Sequence, residues 1–214
     1  MIKKRLFSVA YMFGLTFFFT ALVSTIYEVN RERIAINEEI VLQRVVLEVL
    51  GMKPEQGTPD KRVREIFGRR VRVEEREGRI LYRGFTEDGK TLVGYAFPLY
   101  GAGFWGPIYG MMGVDPQVER VIGVSFYRHS ETPGLGGRIT EAWFTDQFVG
   151  KPLLPRGKEG KYFSLVTPGT AQVEGELDAI TGATGTSRAV DRLLDEGLKD
   201  YLPWIPREKA EGRV

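Results

Sequence analysis

The chain has 214 residues, 43% apolar and 27% charged, with one histidine and no cysteine. That length and balance allow one medium-sized core and argue against long disorder. The missing cysteines exclude thiolate metal sites, cysteine-ligated iron–sulfur clusters, disulfides and a cysteine lipid anchor, and one histidine cannot make a histidine-rich metal site. Setting aside Lys3, Lys4 and Arg5 leaves 27 basic and 28 acidic side chains, so no basic surplus points to a nucleic-acid partner.

Leu6 to Tyr27, LFSVAYMFGLTFFFTALVSTIY, runs 22 residues without a charge. About 20 helical residues span the hydrocarbon core. The run exceeds the apolar region of a cleaved signal peptide and no clean cleavage site follows it, so an uncleaved transmembrane anchor is expected over residues 1–27. The Lys-Lys-Arg cluster in front places the N-terminus on the cytoplasmic side of the inner membrane and the remainder on the other. Residues 28–68 read as a helical stalk and entry helices. Within them NEEIVLQRVVLEVLG predicts a helix with Asn37 as cap and Gly51 as stop, and TPDKRVREIFG predicts another with Thr58 as cap, Pro59 at its first position and Gly68 at its end.

From residue 69 the period changes to alternation. Strands are expected near 70–75, 79–84, 91–98, 107–114 and 120–128, with turns at Glu77-Gly78 and Asp88-Gly89. A helix over 140–148, a short strand in YFSLVTPG, and a closing amphipathic helix from Ser187 to Leu202 complete residues 69–214. The fold class is α+β, a mainly antiparallel sheet flanked by helices, with one N-terminal transmembrane helix.

Two segments carry chemistry. In DAITGATGTS, Asp178 to Ser187, four hydroxyls (Thr181, Thr184, Thr186, Ser187) and two glycines stand where a helix begins. A helix start offers unpaired amides and the positive end of the dipole, which favour phosphate. One hydroxyl would be an ordinary N-cap; four exceed what one helix end uses. A Walker A loop is excluded by the missing lysine. In HSETPGLGG, His129 to Gly137, glycines flank the apolar tip Leu135; this is either a turn or a surface against which a flat ligand packs.

Together these segments, with GFWGPIYG (Gly103–Gly110) and the N-terminal anchor, resemble the FMN-binding domain family that includes NqrC of the sodium-pumping NADH:quinone reductase and RnfG of the Rnf complex. FYRHSETPGLGG and GFWGPIYG lie closer to NqrC. The family's flavinylation signature, D-x-x-[ST]-G-A-[ST], is met by Asp178, Thr181, Gly182, Ala183 and Thr184. The resemblance implies a covalent FMN, its phosphate esterified to Thr184 by a separate flavin transferase that uses FAD and Mg²⁺. It further implies Glu131, Thr132, Gly134 and Leu135 along the isoalloxazine ring, and Thr181 and Thr186 bonded to phosphate or ribityl oxygens. Asp178 either serves recognition or fixes the turn. Trp105 and Tyr109 are expected in the core, with stacking near the ring as the alternative, and His129 is expected to shape its loop rather than move a proton. The function implied is an electron-relaying subunit among other membrane subunits of an Nqr/Rnf-type complex, not a catalyst alone. A stand-alone tethered flavin carrier and a non-redox binding module are the alternatives.

Overall fold

The structure, a computed structural model, describes residues 2–156 and 160–206; residues 207–214, the end of the 69–214 segment, lie outside the described residues. The chain divides into two compact units, Met1–Ile40 and Val41–Val214.

The first unit is helical, part of α1 (Ile2–Val49). This helix is long and apolar enough to cross a membrane, and side chains such as Phe7, Phe13 and Phe17 are exposed along it. Asn37 lies inside α1 and not before it, so it caps no helix start. The apolar residues on both sides of it sustain one uninterrupted helix.

The second unit takes in the last turns of α1. They end in a Schellman closure: Gly51, at φ +70°, donates to the Glu48 carbonyl at 3.0 Å, and Met52 donates to Leu47 at 2.8 Å. Helix α2 (Asp60–Arg70) starts one residue later than expected: Pro59 stands at the cap, with ψ 147°, and not at the first helical position. Thr58 does not cap it. The Thr58 hydroxyl donates to the Glu55 carbonyl at 2.7 Å, and the helix runs through Gly68 to Arg70.

Five strands then form an antiparallel meander in chain order: β1 (Val71–Arg76), β2 (Arg79–Phe85), β3 (Leu92–Ala102), β4 (Pro107–Val114) and β5 (Val121–Arg128). The β1–β2 turn places Glu77 at φ 55° and Gly78 at φ 75°, the left-handed pair that matches strand twist in a two-residue hairpin. Alternation sorts the side chains onto two faces. Tyr82, Ala96 and Met111 join Val45, Val49, Leu50 and Val63 under α1 and α2. Leu81, Tyr95, Phe97 and Met112 face the opposite way, onto Val190, Leu193, Leu194 and Leu198. Gly113 shows how closely the first layer packs. A Cβ there would lie 2.6 Å from the Val49 carbonyl carbon, so backbone meets backbone and no side chain fits.

In place of one helix over 140–148, a 3₁₀ turn at Gly136–Thr140 is followed by α3 (Ala142–Thr145) and a second 3₁₀ turn at Asp146–Phe148. Across the three pieces Ile139, Phe144 and Phe148 are buried, and their spacing of five and then four residues does not form one straight helical stripe. Two three-residue strands, β6 (Ser164–Val166) and β7 (Glu176–Asp178), pair in parallel. The closing helix, α4 (Thr184–Tyr201), begins three residues before the expected Ser187.

Candidate functional site

The turn into α4 decides what its start can bind. Ala183 donates to the Ile180 carbonyl at 3.0 Å, Gly182 takes φ +77°, and the first bond of α-helical spacing runs from Ser187 to the Ala183 carbonyl at 2.9 Å. The amides of Thr184, Gly185 and Thr186 therefore stand in the first turn with no intrahelical acceptor, and Ala183 has no side chain with which to cap them.

The four hydroxyls divide by direction. Ser187 is buried and its Oγ accepts from the Ile180 amide at 3.1 Å, closing the turn from within. Thr186 is buried and its hydroxyl donates to Glu131 Oε2. Thr181 and Thr184 are exposed. One hydroxyl thus closes the turn, one ties it to Glu131, and two are exposed, one of them at the first position of the helix.

Around that start lies a cavity of about 270 Å³, lined by Phe104, Trp105, Thr132, Leu135, Gly136 and the run Gly182–Thr186. Its walls come from three loops. The β3–β4 loop is closed by the Gly103 amide donating to the Gly106 carbonyl at 2.8 Å, and it carries Phe104 and Trp105 outward in edge-to-face contact, their centroids 5.2 Å apart. The loop after β5 is pinned by the Leu135 and Gly137 amides, which both donate to the Thr132 carbonyl, at 3.1 and 2.9 Å. Phe104 packs onto Gly185, where an added Cβ would come 2.8 Å from the ring carbon Cε2. The volume falls just below that of a typical enclosed ligand pocket, so a nucleotide-sized occupant would lie partly outside.

Of the residues expected at the site, Thr132, Leu135, Gly182, Ala183, Thr184 and Thr186 meet at this cavity. Glu131 stands behind the wall, 4% exposed, with Oε1 accepting from the Phe104 amide at 2.8 Å and from the Trp105 amide at 3.1 Å. Gly134, at φ +73°, shapes the loop outside the lining. Thr181 is exposed beside the lining residues. Asp178 lies at the end of β7, where its Oδ1 accepts from the Gly169 amide at 2.7 Å and its own amide donates to Gln147 Oε1 at 2.7 Å; these contacts are those of a turn-fixing residue. His129 shapes its loop, its Nδ1 accepting from the Glu131 amide at 3.1 Å.

Trp105 departs from the core packing expected of it: it is 68% exposed, because the β3–β4 loop carries it past the end of the strands. Tyr109 is half-buried beneath the Arg128 guanidinium, 4.0 Å from its ring centroid. Gly136 and Gly185, read from the sequence as bending or close-approach positions, also line the cavity, whereas Phe104 was not singled out. The signal available for Phe104 was its place between glycines in GAGFWG, a turn that cannot bury two adjacent rings. Nearby, the Glu141 carboxyl is held below its ordinary value by the Trp143 indole N–H and, less strongly, by Arg138.

The arrangement can do three things. Unpaired amides and the helix dipole attract an anion such as phosphate. The outward Thr184 hydroxyl is open to acylation or phosphoryl transfer. Phe104, Trp105 and Leu135 offer apolar and aromatic surface to a flat ring.

Comparison with known proteins agrees with these features. Residues 103–199 match the model of the FMN-binding domain. The NqrC protein of the Na(+)-translocating NADH-quinone reductase of Neisseria meningitidis serogroup B is 30% identical over 167 residues, covering 77% of this chain and 62% of that one. Its counterpart in Pasteurella multocida is 35% identical over 126 residues, covering 58% and 48%. The chain thus spans less than two thirds of the length of these relatives. Among solved structures, Shewanella oneidensis NqrC is similar at a TM-score of 0.62 with 26% identity, covering 72% of this chain and 88% of that one. The corresponding protein from Parabacteroides distasonis shares the fold at a TM-score of 0.70 with 23% identity, covering 84% and 98%.

Proposed function

As the chain belongs to the FMN-binding domain family, we propose that it is a membrane-anchored flavoprotein that holds FMN and relays electrons as one subunit of a sodium-translocating NADH–quinone reductase or a related complex. The observation that carries this is the start of α4: three free amides, an exposed Thr184 hydroxyl and a wall of Phe104, Trp105 and Leu135 meet in one cavity.

The amides of Thr184, Gly185 and Thr186 hold the phosphate through hydrogen bonds, and the dipole of an 18-residue helix adds to them. Thr184 Oγ1 is the attachment point. Its attack on the FMN-side phosphorus of FAD, supplied by a flavin transferase with Mg²⁺, forms the P–O ester and breaks the pyrophosphate. The hydroxyl proton is released and AMP leaves. Bound FMN supplies one- and two-electron redox chemistry. Phe104, Trp105, Thr132 and Leu135 orient the ring and keep water from part of it. Glu131 fixes the β3–β4 loop through the Phe104 and Trp105 amides. Thr181 lies exposed beside the attachment point and serves ribityl or phosphate oxygens, and Asp178 keeps the preceding turn in shape for the transferase.

In the proposed organisation residues 1–27 anchor the chain, 28–68 lead into the domain, and 69–214 form it. Lys3, Lys4 and Arg5 hold the N-terminus at the cytoplasmic face, which puts the flavin on the opposite side. Anchoring raises the effective concentration of membrane-bound redox partners. Expression with the transferase, followed by mild detergent extraction, tests the assignment. A yellow chain that copurifies with other membrane subunits supports it. A yellow chain that purifies alone supports a stand-alone carrier, and a colourless one supports a binding module.

A further inference from the structure

On the FMN reading, Glu131 acquires a role beyond holding its loop. Its side chain is 4% exposed, and burying a carboxylate is costly without compensation. The compensation here consists of dipoles alone. Oε1 accepts two backbone N–H groups, from Phe104 at 2.8 Å and Trp105 at 3.1 Å, and Oε2 accepts the Thr186 hydroxyl. Three donors converge on the two oxygens, the pattern an ionised carboxylate satisfies. Among the described residues no Lys or Arg pairs with Glu131. Every one of these donors belongs to a residue that lines the cavity, and a Cβ on Gly136, another lining residue, would lie 2.9 Å from Oε2. One layer of atoms therefore separates the carboxylate from the cavity, in surroundings where water screens poorly.

A neutral amide could accept the same two backbone bonds. If holding the loop were the whole task, glutamine would do it without the cost of burying a charge. We propose that Glu131 is an electrostatic positioning residue whose negative charge, fixed behind the Phe104–Trp105–Thr186 wall, lowers the midpoint potential of the flavin. Two-electron reduction with uptake of one proton adds a negative charge to the ring; with two protons it adds none. A nearby fixed anion opposes the first outcome and so favours the oxidised cofactor. The same anion weakens the hold of the α4 start on phosphate, and covalent attachment makes that loss harmless.

The test uses the full chain, flavinylated by its transferase and purified in detergent, reduced stepwise with dithionite against a reference dye. Glu131→Gln keeps the acceptor for both amides and removes the charge. At a fixed potential its ratio of reduced to oxidised flavin is expected to rise at least tenfold, about 30 mV for a two-electron couple. Thr186→Val leaves the charge and removes one of its donors, and is expected to move the ratio the opposite way. A Glu131→Gln protein with wild-type flavin content and a ratio within threefold of wild type overturns the proposal. Should that variant fail to load flavin, Thr186→Val decides: an unchanged or upward ratio overturns it, and a downward one supports it. Loss of flavin from both variants also overturns it, since the pair would then be structural. A wild-type chain that takes up no FMN sinks the FMN reading itself, which is a separate result.

Discussion

Gly185→Ala separates the stability of the fold from the integrity of the site. A Cβ at this position would come 2.8 Å from Phe104 Cε2 and 3.0 Å from Cγ, so the ring must leave. It can leave, because Phe104 is 61% exposed and terminates an outward loop. Burying a whole phenylalanine is worth about 1.5–3 kcal/mol, so losing the contact of a side chain this exposed costs roughly 1 kcal/mol or less. Alanine in place of glycine stabilises a helix interior by about 0.8–1.0 kcal/mol, and less near an end. The two nearly cancel, and stability should change by less than about 1 kcal/mol. For a domain of this size that is a melting shift of no more than about 4 °C. Flavin loading should nevertheless fall severalfold, because Phe104 no longer walls the cavity. Thermal denaturation followed by circular dichroism gives the first quantity, and flavin absorbance per protein after coexpression with the transferase gives the second. A variant that melts far lower yet carries wild-type flavin would refute the reasoning, since Phe104 would then belong to the fold and not to the site.

Other expectations follow from single contacts. Thr184→Ala should abolish flavin fluorescence that survives denaturation while changing stability by less than about 0.5 kcal/mol, since an exposed surface side chain is being trimmed; in-gel fluorescence and a melting curve check both. Gly113→Ala drives a Cβ to within 2.6 Å of the Val49 carbonyl carbon, a backbone that cannot swing aside, and should destabilise the domain by about 3 kcal/mol or prevent its folding, as measured by urea titration. The Glu141 carboxyl, lowered by Trp143 and Arg138, contributes stability above the unfolded value of about 4.3 and loses that contribution as pH falls through the lower folded value. The stability difference between wild type and Glu141→Gln should therefore shrink from about pH 6 to about pH 3; a difference that grows on acidification contradicts the assignment.

The sheet was legible because its strands alternate cleanly and its turns carry Glu-Gly and Asp-Gly pairs; each of the five lies within a few residues of its expected span. The candidate site at the start of α4 could be picked out for a different reason. Hydroxyls and glycines crowded at a helix start have few structural uses, although two of the four prove to be occupied within the protein, Ser187 in closing the turn and Thr186 on Glu131. What escaped was set by tertiary contact. Ser187 looked like the first residue of the closing helix, but its hydroxyl accepts from the Ile180 amide and the helix begins at Thr184. Trp105 looked like core, since burial is the usual fate of a large aromatic, and nothing local says that its loop overshoots the sheet. β7 has three residues, too few for any period. The role of Glu131 depends on amides 26 and 27 positions away, which no local pattern encodes.

One measurement bears most directly on the account. The chain is expressed with its flavin transferase, unfolded, digested, and the peptide spanning Thr184 is fragmented in the mass spectrometer. The account predicts an FMN phosphodiester on Thr184 and unmodified Thr181, Thr186 and Ser187. An adduct on another hydroxyl would move the attachment point away from the first turn of α4, and an unmodified peptide from a chain that nevertheless holds flavin would contradict covalent attachment altogether.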